Sequence, residues 1–448
     1  MTRDLGRPGF HFTVPAGWIN DPLGLTWHET PDGGRYELFY QFNPDAPAWS
    51  VACRWGQATS EDLVRWRYPR TALEPGPGED GCWSGSVAVD RGRPVIVYTS
   101  VLAGSPDLGR IALAPGDEAW RRWSADPGGP VVPAPGEGYA HLRDPYVWRD
   151  GDGWRMAIGA GTADGRPEVL QYSSADLRTW RPDGVLAGPR SDVDGPGGTA
   201  WECPQLFRLD GAWVLLVSVW DDGPSHVALA VGDYDGRRFT ARSWQRLPDD
   251  ACYATTAFAD AQGRRCALSW LRGVAGSDWA GALSVPWLLG RDGNRVTFSP
   301  HPDVDTLRTR VRADPGAAVL CAGSPVTVPV GRHADVVLQA YLGEAPLAVT
   351  LAGSAGRLFA VTAEPAEAAV RVVPAAGRAA ARLPMRPAPD GRIDLRLLVD
   401  AGVVEVFSGG GVAVARVPTR DGDASLSVEG DGARLGRVRV YEMERLTG

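Results

Sequence analysis

No stretch of this 448-residue chain sustains an apolar repeat of helical period, whereas short β-rich runs recur along most of its length. Residues 36–42, 94–99, 154–159 and 213–219 are examples, each fenced by Gly, Asp or Pro. Apolar runs bounded by turn formers mark strands, so this pattern restricts the chain to an all-β fold. A weak internal repeat narrows it further. Thr59-Ser60-Glu61-Asp62-Leu63-Val64-Arg65-Trp66 is echoed by Ser173-Ser174-Ala175-Asp176-Leu177-Arg178-Thr179-Trp180, and more loosely by residues 233–239. Repeated four-stranded units suggest a β-propeller, and roughly 300 residues at about 50 to 60 per blade predict five blades. A single sandwich or barrel is the rival, but it would be large.

The distribution of tryptophan divides the chain. All 18 Trp lie in the first 287 residues. Indole suits both blade packing and stacking on sugar rings, so the first part is expected to carry the chemistry. Near Asp314-Pro315-Gly316 the composition shifts towards Ala, Val, Arg and Gly, which places the boundary between residues 1–312 and 313–448. In the second part Ile393-Asp394-Leu395-Arg396-Leu397 alternates cleanly. Val404-Glu405-Val406-Phe407 turns through Ser408-Gly409-Gly410-Gly411 into a partner run, the pattern of an antiparallel β-sandwich.

Three acids stand in unusual settings: Asp21 in Trp18-Ile19-Asn20-Asp21-Pro22, Asp144 in Arg143-Asp144-Pro145, and Glu202 in Trp201-Glu202-Cys203-Pro204. Taken alone, each reads as a turn or a strand acid. In a propeller the innermost strands surround the axis, so acids from different blades can converge there. Convergent carboxylates admit cation binding, glycoside hydrolysis or coincidence. No D-x-D-x-D loop supports a hard cation. Glycoside hydrolysis needs a carboxylate pair plus groups that hold sugar hydroxyls. The aromatic and amide residues Trp18, Asn20, Gln41, Trp49, Trp83 and Trp201 favour that reading.

The same residues closely resemble glycoside hydrolase family 32, the invertases, levanases and inulinases. Trp18-Ile19-Asn20-Asp21-Pro22, Phe39-Tyr40-Gln41-Phe42-Asn43-Pro44 with Trp49, Trp55-Gly56-Gln57, Trp83-Ser84-Gly85-Ser86, Arg143-Asp144-Pro145, Glu202-Cys203-Pro204 and Trp279-Ala280-Gly281 fall in the family's order. The resemblance implies a five-bladed propeller followed by a C-terminal β-sandwich, and retaining hydrolysis of β-fructosides. It implies that Asp21 is the nucleophile, Glu202 the acid/base and Asp144 the transition-state stabiliser, with Arg143 beside it on the fructose hydroxyls. Asn20, Gln41, Trp49, Trp83, Ser84 and Trp279 match positions that shape the fructose subsite. Fructosyl transfer, including difructose anhydride formation, is the alternative reaction; a non-catalytic carbohydrate-binding propeller is a third reading. The chain departs from the family pattern at Leu23, Gln57 and Trp287, and Asp250-Ala251-Cys252-Tyr253-Ala254 carries one residue more than usual.

A formal net charge of −8 argues against nucleic acid, which requires a basic face. No run approaches the roughly 20 apolar residues of a membrane span. Residues 1–7 lack a secretory signal pattern, so the expected location is cytoplasmic as written, or secreted if a signal has been removed. The six Cys include no C-x-x-C pair and are expected to be reduced core residues. No metal or cofactor is expected. The expected partner is an oligo- or polysaccharide fructoside, and the expected assembly a monomer or homodimer.

Overall fold

The computed structural model describes residues 6–30, 33–189, 195–248, 251–374 and 381–446. Among them the only helical elements are two short 3-10 turns, Pro302–Leu307 and Pro365–Glu367; everything else regular is strand. The first 300 residues form five antiparallel blades followed by a β-sandwich. Blade one runs from Gly17–His28 to Trp66–Leu73, and blade two from Gly81–Asp90 to Arg110–Pro115. Blade three runs from Tyr139–Asp150 to Arg181–Ala187, and blade four from Ala200–Leu209 to Phe239–Arg246. Blade five spans Cys252–Ala259 to Arg295–Pro300.

The repeat seen in the sequence is the turn between the third and fourth strands of a blade. Asp62 accepts the backbone N–H groups of Val64 and Arg65, and Asp176 those of Arg178 and Thr179. Leu63 and Leu177 take matching left-handed backbones, with φ of 59° and 63°. The looser echo at Asp235 caps the same turn in blade four through Arg237 and Arg238. An aspartate that satisfies turn amides is the local chemistry that makes this signal repeat.

The ring closes between blades five and one. The short strand Trp279–Leu283 leaves blade five and pairs in parallel with Gly17–His28, at Gly17 with Trp279 and Trp18 with Ala280. Gly281 lies against blade one: a Cβ there would stand 1.9 Å from the Ile19 carbonyl oxygen. Tight closure therefore needs a glycine at this position.

Residues 308 onwards form two packed sheets around one apolar core that includes Val336, Leu338, Val349, Phe359 and Val406. Arg308–Ala313 pairs with the last strand, Arg434–Met443, so the chain enters the sandwich before the expected 312/313 boundary. The signal was missed because the break is a 3-10 turn, Pro302–Leu307, rather than a composition shift. A buried ionic cluster joins the two domains. His11 contacts Asp400 and Glu405 at 2.8 and 3.0 Å, and His333 contacts Asp400 at 2.6 Å. Gly9, Phe10 and His11 also donate their backbone N–H groups to Asp400.

Four cysteines are buried as expected, but Cys321 is exposed and Cys203, half-buried, sets its thiol against Asp21 and Asp144. No helix among the described residues is long and apolar enough to cross a membrane.

Candidate active site

Each blade interrupts its innermost ladder at the same level. Register shifts fall at Asn20–Asp21 in blade one, Ser84 in blade two, Asp144–Pro145 in blade three, Cys203–Pro204 in blade four and Ala254–Thr255 in blade five. Asp144, Cys203 and Ala254 adopt left-handed backbones there, with φ of 63°, 46° and 46°. A bulge adds one unpaired residue and re-aims side chains, and here five bulges turn side chains towards one axis. The prolines after Asp21, Asp144 and Cys203 lack the N–H that a continuous ladder would require.

The aimed side chains form a ring of hydrogen bonds through all five blades. Ser84 Oγ donates to Asp21 Oδ2 at 2.6 Å, joining blades two and one. Asp144 N–H donates to Thr99 Oγ1 at 2.8 Å, joining three and two. Arg143 Nε donates to Glu202 Oε1 at 2.6 Å, and Cys203 N–H to Asp144 Oδ2 at 3.0 Å, joining three and four. Tyr253 O–H makes a short hydrogen bond to Glu202 Oε2, joining five and four. Thr256 Oγ1 closes the ring on the Pro22 carbonyl at 2.6 Å.

This ring floors a pocket of about 500 Å³ to which every blade contributes. Asp21, Asp144 and Glu202 line it together, as do Asn20, Gln41, Trp49, Trp83, Ser84 and Arg143. Trp279 does not. It is fully buried beneath Arg7, whose guanidinium carbon lies 4.5 Å from its ring, because it belongs to the closing strand rather than the pocket wall. Trp18 and Trp270, packed edge to face at 5.6 Å, form that wall instead. Sequence reasoning also passed over Tyr253, Trp220 and Asp107, all on the pocket. Tyr253 had one signal, its place in the altered string after Asp250; Asp250 itself lies outside the described residues.

The electrostatics follow from three acids sharing one buried arginine. Burial pushes Asp21 up to about 6; the Ser84 hydrogen bond opposes the rise and the Glu202 charge adds to it. Burial, reinforced by the Glu202 charge and opposed by Arg143, pushes Asp144 up to about 7. Arg143 was expected to act beside Asp144 on fructose hydroxyls. It lines the pocket, donates to Glu202 and, at 2.8 Å, to Asp107, and lies near the rings of Trp83 and Trp220. A planar guanidinium flanked by indoles and carboxylates holds one orientation. Trp18 Nε1 donates to Asn20 Oδ1 at 3.1 Å and Asn20 Nδ2 to Asp21 Oδ1 at 2.9 Å, so both Asp21 oxygens have donors. The Cys203 thiol sits between Asp21 and Asp144, at 3.7 and 3.6 Å.

Three of the departures from the family pattern, Leu23, Gln57 and Trp287, lie away from this pocket. Leu23 is buried with Phe39, Trp55 and Tyr98 between blades. Gln57 donates to Glu37 Oε2 at 2.7 Å within blade one. Trp287 donates to Glu405 Oε2 at 2.7 Å in the interdomain cluster. Among the described residues one group has metal-ligand spacing, Asp260, Cys266 and His301. Arg264 donates to Asp260 at 2.6 Å and approaches His301 Nε2 at 3.0 Å, so a cationic side chain already serves that cluster.

Residues 11–300 match the profile of the glycosyl hydrolases family 32 N-terminal domain. A sucrose-6-phosphate hydrolase of Escherichia coli is 31% identical over 328 residues, 67% of this chain and 66% of that protein. A levanase of Bacillus subtilis is 28% identical over 99% of this chain and 71% of its own length. The chain thus spans about two thirds of the length of these curated relatives. A solved β-fructofuranosidase of Bombyx mori, in complex with sucrose, superposes with a TM-score of 0.84 at 26% identity, covering 100% of this chain and 96% of that one.

Proposed function

The chain belongs to glycoside hydrolase family 32, and from that membership we propose that it releases fructose from β-fructosides by a retaining double displacement. The observation that carries this reading is the convergence of Asp21, Asp144 and Glu202 from three blades in one pocket. Asp21 attacks the anomeric carbon of the fructosyl unit. Its position near about 6 leaves it mostly ionised at neutral pH, and the donors on both oxygens hold it in one orientation. Glu202, gripped by Arg143 and Tyr253, passes a proton to the leaving glycosidic oxygen. It then takes one from the incoming water as the fructosyl-enzyme is hydrolysed. Asp144, fixed by the Cys203 N–H, accepts hydrogen bonds from fructose hydroxyls that tighten as the ring becomes oxocarbenium-like. Trp18, Trp49, Trp83 and Trp270 supply apolar walls for the sugar faces.

The test is to incubate the protein with sucrose, inulin and levan and to identify every product, transfer products included. Free fructose is expected. Asp21→Ala and Glu202→Ala are each expected to lower kcat by about a thousandfold or more. An Asp21→Ala variant as active as the wild type, or no turnover of any fructoside, overturns the reading.

A further inference from the structure

Among the described residues four acids line the catalytic pocket, and the mechanism uses three of them. The fourth, Asp107, differs in position. Asp144 and Glu202 are buried, whereas the Asp107 side chain is 50% exposed. A fructosyl unit held above Asp21 fills the floor of a pocket closed beneath by the ring of hydrogen bonds. The rest of the substrate must extend towards the mouth, where this half-exposed carboxylate stands.

The place of Asp107 is built in. Leu142 donates its backbone N–H to the Asp107 carbonyl at 2.9 Å, and Gly109 donates its own to the Leu142 carbonyl at 2.9 Å. The segment before the third strand of blade two is thereby pinned to the residue preceding Arg143. The approach is close. A Cβ on Gly109 would stand 2.2 Å from Thr99 Cγ2 and 2.9 Å from the Leu142 carbonyl oxygen, so glycine is required there. The side chain is fixed as well. Arg143 Nη1 donates to Asp107 Oδ1 at 2.8 Å, and His141 Nδ1 lies 3.5 Å from the same oxygen. The His141 contact, with the charge of Arg143, overcomes burial and keeps Asp107 below the usual carboxylate range.

One guanidinium joins Asp107 to the acid/base, because Arg143 Nε donates to Glu202 Oε1 at 2.6 Å. Glu202 gives its proton to the glycosidic oxygen, so the departing sugar lies against Glu202 on its open side. Trp220 walls that side, its ring centroid 5.1 Å from the Arg143 guanidinium carbon. Asp107 Oδ1 is committed to Arg143 and His141, while Oδ2 has no partner among the described residues. A free oxygen on a fixed, ionised carboxylate is an acceptor for a sugar hydroxyl.

We propose that Asp107 is a specificity-determining residue on the leaving-group side of the pocket, where its Oδ2 accepts a hydroxyl of the departing sugar. The enzyme thereby favours a hydroxylated leaving group over a simple alcohol. The proposal rests on the fructosidase reading and goes beyond it. Asp107 takes no part in proton transfer; it holds the leaving sugar against the acid that protonates it. The rival role is that Asp107 only steadies Arg143 and, through it, Glu202. The two roles differ for a substrate whose leaving group carries no further hydroxyl.

The experiment compares kcat/KM for sucrose and for methyl β-fructofuranoside in wild type, Asp107→Ala and Asp107→Asn. Both substrates need Glu202 to protonate the leaving oxygen, but only sucrose releases a polyol. The expected result is a ratio of sucrose to methyl fructoside that falls about tenfold or more in Asp107→Ala. Asp107→Asn, which keeps the shape of the side chain and loses its charge, should lower the ratio less. An equal fall on both substrates shows that Asp107 acts only through Arg143, and overturns the proposal. Rates unchanged from wild type on both substrates overturn it too. Should Asp107→Ala fail to fold, Asp107→Asn decides alone, and a ratio equal to that of wild type sinks this inference. Absence of any fructoside turnover by the wild type instead sinks the fructosidase reading beneath it.

Discussion

Two buried ionic clusters lie in this protein, and they treat their carboxylates in opposite ways. In the pocket, three acids share one arginine, and burial pushes Asp21 and Asp144 up, to about 6 and about 7. In the interdomain cluster, two acids face two histidines and a row of backbone N–H groups. There, hydrogen bonds from His11 and His333 overcome burial and hold Asp400 well below the usual carboxylate range. The same bonds, with Glu405, overcome the burial of His11 and push it up to about 9. Charge left under-compensated is available for chemistry; charge that is matched and fully hydrogen-bonded serves assembly.

The contrast breaks most visibly at Asp400. Asp400→Asn leaves His11 and His333 facing a neutral amide, and the expected loss is about 3–5 kcal/mol of stability. Denaturant melts at neutral pH measure it, and a variant as stable as wild type would show that the cluster does not join the domains. The opposite sign is expected in the pocket. Folding raises Asp21 and Asp144 above their unfolded value of 3.8. Their contribution to stability is therefore complete only below that value and is lost as pH rises through about 6 and 7. At pH 7.5 their charge is a cost, so Asp21→Asn and Asp144→Asn should each gain on the order of 1–2 kcal/mol while losing activity.

A pH series separates the clusters further. Activity should fall as pH drops through about 6, where Asp21 takes up a proton. Stability should follow a different course. Asp400, depressed in the folded state, stabilises above the ordinary carboxylate range and stops doing so as acid protonates it. His11, raised from 6.5, contributes fully below that value and loses its contribution as pH rises through about 9. His11→Gln should remove this alkaline slope while leaving the acid limb of kcat in place; an unchanged slope assigns the alkaline loss elsewhere. The smallest expected effect separates two tryptophans. Trp270→Ala should raise KM for sucrose about tenfold, and Trp279→Phe less than about twofold. Equal effects would return Trp279 to the pocket.

Much of this was legible in one dimension. The blade count came from strand spacing and from the Asp-capped turns at Asp62 and Asp176, which are local chemistry. The three acids were legible because each sits in or beside a proline-marked break in a strand. Tyr253, Trp220 and Trp270 were not, because an aromatic in a strand has the same local pattern whether it packs between blades or faces the axis. Trp279 shows the converse: a family-like string drew attention to a residue that the closing strand buries. Leu23 looked like the most telling departure, yet it packs between blades, and strand alternation decides that face only once the bulge at Asp21 has shifted the register. The interdomain cluster escaped entirely, since His11 and Asp400 are far apart in sequence and neither has a local signature.

The sequence by itself thus determined that the chain is all-β, that it repeats in blades before a sandwich, and that three particular acids stand at breaks in strands. Those properties depend on side-chain period, turn formers and proline, which act within a few residues. Tertiary structure alone decided which acid pairs with Arg143 and which tryptophans line the pocket. Those depend on which strands become neighbours around the axis and how deeply each charge is buried, and no local stretch of sequence carries either quantity.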